Sequence, residues 1–290
     1  MTSIGSTDIL VSKPRNASSN PLLQRLRGVS PSLVLAWGVI ALVVLFALAP
    51  SLFTSFSPVQ GVPAEKLKAP SLLHILGTDA LGRDLFARIV YGAVHSLTGA
   101  FVAVLVGLVV GTTLGLFAGA VGGLVEEAVM RLVDVLLSIP GLLLMLSIII
   151  LLGFGTVNAA IAVGITSVAG FARLSRSEVV RVRRSEYVEA AFGSGGTFLS
   201  VLWRHVLPNS LTSVLALAAL QFGGAILAIS TLGFLGYGAP PPTPEWGLLI
   251  AEGRNYISTA WWLTTAPGLV VVLVVLSANR ISQALGKVGR

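Results

Sequence analysis

Long apolar runs separated by short polar islands organise this chain. No Asp, Glu, Lys or Arg occurs from Gly28 to Ala64, Ile89 to Val125, Val135 to Ala172, or His205 to Pro244. About 20 apolar residues in a helix cross the hydrocarbon core of a bilayer, so each run can hold at least one span. The predicted spans are 33–52, near 95–119, near 132–153, a fourth returning to an Arg cluster that starts at Arg173, near 211–236 and near 262–279. The 135–172 run holds two of them, because GFGTVN at 153–158 carries turn chemistry in its middle.

Local signals refine the pattern. Pro140 predicts a kink in the third span. Gly99, Gly107, Gly111, Gly115 and Gly119 recur at multiples of four along the second. Such a stripe lets helices approach closely in lipid and reads as packing rather than pore lining. Pro240, Pro241 and Pro242 cannot continue a helix, so the fifth span ends in a loop there, with a short re-entrant helix at Trp246 to Glu252. The division that follows is a polar tail over 1–32, a first transmembrane helix over 33–52, a segment outside the membrane over 53–93, a core over 94–279 with five more transmembrane helices and a polar loop at 173–210, and a tail over 280–290. The expected fold is an all-α polytopic membrane protein with six transmembrane helices.

Composition agrees. Of 290 residues, 54% are hydrophobic and 11% are charged, against about 25% charged in soluble domains. There is no cysteine, which excludes a disulfide framework, a thiol nucleophile and Cys-based metal sites. Six spans put both termini on the side of the 173–210 loop. Of the 19 Lys and Arg residues, only Lys66, Lys68, Arg83, Arg88 and Arg254 fall on the opposite side. Basic residues concentrate in cytoplasmic loops, so the termini and the 173–210 loop are expected in the cytoplasm. The net charge of +7 then reflects orientation in lipid rather than a nucleic-acid partner.

The polar segment 186–209 is the most informative. Glu186 to Phe192 is helix-prone, and Gly193, Gly195 and Gly196 interrupt it. Thr197 can cap a second helix with Phe198, Val201, Leu202, His205 and Val206 on one face. From pattern alone, this apolar stripe lies either on a lipid surface or against a partner. Glu189, Ala190, Ala191, Gly195, His205, Leu207 and Pro208 resemble, in identity and spacing, the EAA loop of type I ABC transporter permeases. The resemblance implies a coupling helix that docks on an ATPase subunit.

A second stretch, LGTDALGRDLFARIVYGAVHSL, begins at Leu76. Taken alone, Asp79, Arg83 and Asp84 suggest local ion pairing or turn capping, and Asp79 with His74 is a weak catalytic candidate. With Gly77, Thr78 and Gly82 these residues resemble the LGTDxLGRDxxSRxxxGxRxSL signature of the peptide and nickel branch of the same permeases. Ala87 and Val94 depart from it, standing where the pattern has Ser and Arg.

No phosphate-binding loop, zinc-type His-Glu-x-x-His or Gly-x-Ser-x-Gly elbow occurs. No catalytic or metal site is expected, and no cofactor bound by this chain. The resemblance implies two ATPase subunits carrying ATP and Mg, a second homologous permease subunit forming a heterodimer, an extracytoplasmic substrate-binding protein, and residence in a bacterial inner membrane. It implies import of di- or oligopeptides by alternating access, with nickel, a metal chelate or glutathione as alternative cargo. A membrane-embedded enzyme or a proton-driven transporter would need ionisable residues within the spans, and these are nearly free of them.

Overall fold

A computed structural model describes residues 30–288. The tail at 1–29, with its basic residues, and residues 289–290 lie outside the described residues. The elements are α1 (Pro31–Leu48), α2 (Leu85–Val121), α3 (Gly123–Ser138), α4 (Gly141–Leu152), α5 (Thr156–Arg183), α6 (Glu186–Gly193), α7 (Phe198–Val201), a π turn (Leu202–Val206), α8 (Leu207–Phe234), α9 (Trp246–Gly253) and α10 (Trp262–Val288). Among the described residues, five helices are long and apolar enough to cross a membrane, or six if α3 and α4 count as one span.

α2 begins well before the predicted 95. Asp84 is its N-cap, accepting from Ala87 N at 2.7 Å, and the charge of Arg88 is answered inside the protein. The expected segment 53–93 therefore ends in helix. α3 and α4 meet at 96°, a break rather than a kink. Ile139 before Pro140 is extended, with φ −83° and ψ 129°, because the proline ring disfavours helical backbone in the preceding residue. α10 carries most of the expected tail at 280–290 as helix.

One core joins α1, α2, α4, α5, α8, α9 and α10 around Val43, Ile89, Ile149, Val163, Ile229 and Val274. The glycine stripe lies on the seam between α2 and α5. A Cβ on Gly111 would stand 2.5 Å from Val168 O, and one on Gly115 2.3 Å from Ala172 O, so the two backbones touch where side chains are missing. Arg183 closes the end of the seam, donating from Nη1 to Gly119 O at 2.9 Å and to Ala120 O at 2.5 Å.

Candidate functional site

Two sites sit at opposite ends of α2. At its C-terminal end, α6 and α7 form a bent pair. Gly195 has φ +88°, which other residues rarely adopt. Gly195 N donates to Phe192 O and Gly196 N to Ala191 O, each at 3.0 Å; this is the Schellman arrangement that ends a helix. A Cβ on Gly196 would fall 2.6 Å from Ala191 O. Gly196 thus closes the bend tightly.

The predicted apolar stripe is divided. Val201, Leu202 and Val206 turn inward onto Leu116, Ala120, Val179, Val182 and Val188, while Phe198 stays exposed and His205 is half-buried. The chain itself covers most of the face expected to meet a partner. A different set is exposed: Tyr187, Phe192, Phe198, Leu199 and Trp203, together with Glu189 and Ala190; Ala191 is half-buried. Leu207 N donates to Leu202 O through the π turn. The extra residue in that turn makes room for Pro208, whose ring would otherwise clash with the preceding turn. Asn209 Nδ2 donates to His205 O at 2.6 Å.

At the other end, the signature residues close on one another. Gly77 (φ +79°) and Gly82 (φ +75°) make the turns. Thr78 Oγ1 donates to Glu65 O and accepts from Lys68 N at 2.9 Å. Asp79 Oδ1 accepts from Leu81 N at 2.8 Å and Arg83 N at 3.0 Å. Its Oδ2 accepts from Arg83 Nε at 2.6 Å and Arg88 Nη1 at 2.8 Å. Both guanidinium groups also reach Glu252 Oε2 of α9, Arg83 at 3.3 Å and Arg88 at 2.5 Å. Arg83 is 4% exposed and Arg88 1%. Arg88 Nε and Nη2 meet no protein partner.

The arrangement is a buried ionic knot between two segments. A cavity of about 290 Å³ lies beside it, lined by the knot residues and by Leu81, Asn255 and Tyr256. His74 pairs with Asp84 (Nδ1 to Oδ2, 2.8 Å) and Glu65 (Nε2 to Oε2, 3.1 Å), not with the catalytic candidate Asp79.

α9 is pinned to α2 a second time. Trp246 is fully buried, and its Nε1 donates to Ile89 O at 3.0 Å. Glu245 caps α9, accepting from Gly247 N and Leu248 N at 2.9 Å and from Ser96 Oγ at 3.4 Å. Gly233 leaves room for that carboxylate, which would stand 2.3 Å from a Cβ there. The sequence pattern did not select Arg88, Ser96, Glu245 or Glu252 as site residues, although Arg88 and Ser96 match fixed positions of the signature beginning at Leu76. The pairs Arg88–Glu252 and Ser96–Glu245 join positions 164 and 149 apart, which no local pattern shows. Among the described residues, no group of His, Cys, Asp and Glu is placed to hold a metal.

Comparison with known proteins accounts for this architecture. The family described as binding-protein-dependent transport system inner membrane component matches residues 111–287. The dipeptide transport system permease protein DppC of Alkalihalophilus pseudofirmus is 42% identical over 247 residues, 85% of this chain and 81% of the relative. The glutathione transport system permease protein GsiD of Shigella flexneri is 41% identical over 216 residues, 74% of this chain and 71% of the relative. A chain from inward-facing structures of the MetNI methionine ABC transporter shares the fold, with TM-score 0.55 at 21% identity, covering 69% of this chain and 97% of that one. A buried helical bundle that leaves a bent helix pair exposed beside the Arg-rich segment, with this extent of identity, makes the chain a member of the binding-protein-dependent transport system inner membrane components, the type I ABC permeases of the peptide branch.

Proposed function

We propose that this permease subunit carries di- or oligopeptides inward, with α6 and α7 facing the cytoplasm and docked on an ATPase. The observation that carries the reading is the exposed set Tyr187, Glu189, Phe192, Phe198, Leu199 and Trp203, on two short helices and the π turn after them, whose other face packs on α2 and α5. An apolar patch rimmed by charge marks a protein contact. Its rigid base passes a displacement into the bundle. Permeases of this family work with ATPase subunits and a substrate-binding protein. Here the partners are two ATPases carrying ATP and Mg, a second, non-identical permease completing a heterodimeric pore, and a binding protein on the knot side. The cargo class rests on the names of the relatives, dipeptide first and glutathione second.

The test is reconstitution of the whole complex in liposomes. ATP-dependent accumulation of a labelled dipeptide, outcompeted by other peptides, is expected. Accumulation of glutathione or nickel without dipeptide uptake would overturn the cargo class. Orientation is tested separately, since the chain has no native cysteine. Ala64→Cys and Ser258→Cys, both exposed, should react with an impermeant thiol reagent applied to intact cells, and Ser200→Cys only after permeabilisation.

A further inference from the structure

The segment 68–78 folds into a knuckle near the start of α2. Ser71 N and Gly77 N both donate to His74 O, at 2.8 and 2.9 Å, and Thr78 N donates to Lys68 O at 3.0 Å. His74 N donates to Ser71 Oγ at 3.1 Å. The imidazole, 3% exposed, points inward between Asp84 and Glu65. With His74 fastened there, Leu72, Leu73 and Ile75 are turned outward, 105%, 61% and 63% exposed. Three large apolar side chains are thus held away from the protein on a hydrogen-bonded turn.

What lies beside them indicates what covers them. Leu73 and Ile75 share a groove of about 160 Å³ with Phe53, Phe56 and Phe86. Phe53 follows a single 3-10 turn, Pro50–Leu52, that comes just after α1, and Leu48 at the end of α1 and Leu52 in that turn are exposed. The apolar surface of the knuckle therefore continues the lipid-facing surface of a membrane span. Lys66 and Lys68 are exposed on the same segment, Lys68 lying 3.3 Å from Glu65. Basic residues beside an apolar edge suit a headgroup phosphate layer.

We propose that this knuckle is a membrane anchor, with Leu72, Leu73 and Ile75 entering the headgroup–acyl boundary at the end of α1. Insertion of a preformed turn orders little new chain, so the apolar burial is not spent on folding the loop. The inference rests on α1 being a span, and not on which side of the membrane α1 ends.

The experiment uses the assembled complex in liposomes, with the partner subunits freed of cysteine. Leu72→Cys and, separately, Leu73→Cys are labelled with a small fluorophore. Both side chains are exposed, and matching unfolding temperatures confirm that the variants fold. A lipid carrying a nitroxide high on its acyl chain should quench the label about threefold more than a water-soluble nitroxide, as for a side chain at the acyl boundary. Because the spin-labelled lipid occupies both leaflets, this result does not depend on orientation. Stronger quenching by the soluble nitroxide would overturn the anchor. So would loss of lipid quenching when the binding protein is added, which assigns the surface to a protein contact.

Discussion

Arg88 at the start of α2 and Glu252 near the end of α9 are joined by an ion pair, Nη1 donating to Oε2 at 2.5 Å across 164 positions of chain. Asp79 accepts from the same nitrogen, and Arg83 reaches both acids. Removing one partner of a buried charge cluster leaves another uncompensated, at about 3–5 kcal/mol. Asp79→Asn should therefore lower the unfolding temperature of the detergent-solubilised complex severely. Glu252→Gln should lower it less, because that carboxylate is partly exposed. Arg83→Ala should lose stability while leaving unchanged the binding-protein concentration that half-stimulates the ATPase. A raised half-stimulating concentration in a well-folded Arg83→Ala complex would instead make this residue a docking contact.

The bend between α6 and α7 depends on two glycines for different reasons. Gly195→Val forces a β-branched side chain into left-handed backbone, at about 1–2 kcal/mol or more. Gly196→Val meets Ala191 O. Either variant should assemble at normal levels yet uncouple ATP hydrolysis from uptake. Gly193→Ala, with open space around it, should transport normally. Wild-type uptake by Gly195→Val would refute the role of the bend.

The α2–α5 seam admits no side chain. Gly111→Ala and Gly115→Ala place a methyl group against α5 carbonyls, an overpacking of about 1–3 kcal/mol. Gly170→Ala on α5 meets nothing within 4 Å and should be neutral or mildly stabilising. Thermal unfolding of the three variants, side by side, checks the order.

Acid should loosen the knuckle. The Glu65 carboxyl is held below the usual glutamate range by its bond to His74 first and to Lys68 next; Asp84 faces His74 from the other side. A carboxylate depressed in the folded state contributes stability above its unfolded pKa and loses it as pH falls through the folded value. Amide protection over 65–78, taken relative to the intrinsic exchange rate at each pH, should therefore fall as pH drops below the ordinary glutamate range. In Glu65→Gln, exchange should already be raised at neutral pH and should respond less to acid. An unaltered acid response in that variant would remove Glu65 from the account.

Much of the fold was legible because membrane spans are written in run length and charge. The turn at 153–155, the stop after Phe234 and the packing role of the glycine stripe follow from local chemistry. The start of α2 did not, since Arg88 marks a boundary only until Asp79 and Glu252 are known to neutralise it. Pro140 gave a break where a kink was expected, because Ile139 before it is extended. At the candidate site, periodicity located the stripe of α7 but could not say that α2 and α5 already cover it. The knot was half visible: Asp79 and Arg83 are neighbours in sequence, whereas Glu252 is brought in only by the tertiary fold.

α2 has 37 residues, about 55 Å of helix at 1.5 Å per residue. Along its seam with α5, glycines of α2 sit against backbone carbonyls and against Ser167, Phe171, Ser175 and Val179 of α5, so the two helices pack at close range. α2 carries the bent helices at one end and the ionic knot at the other. Val188 and Val201 pack against one end of this helix and Arg88 lies at the other, so one unbroken element joins the two sites.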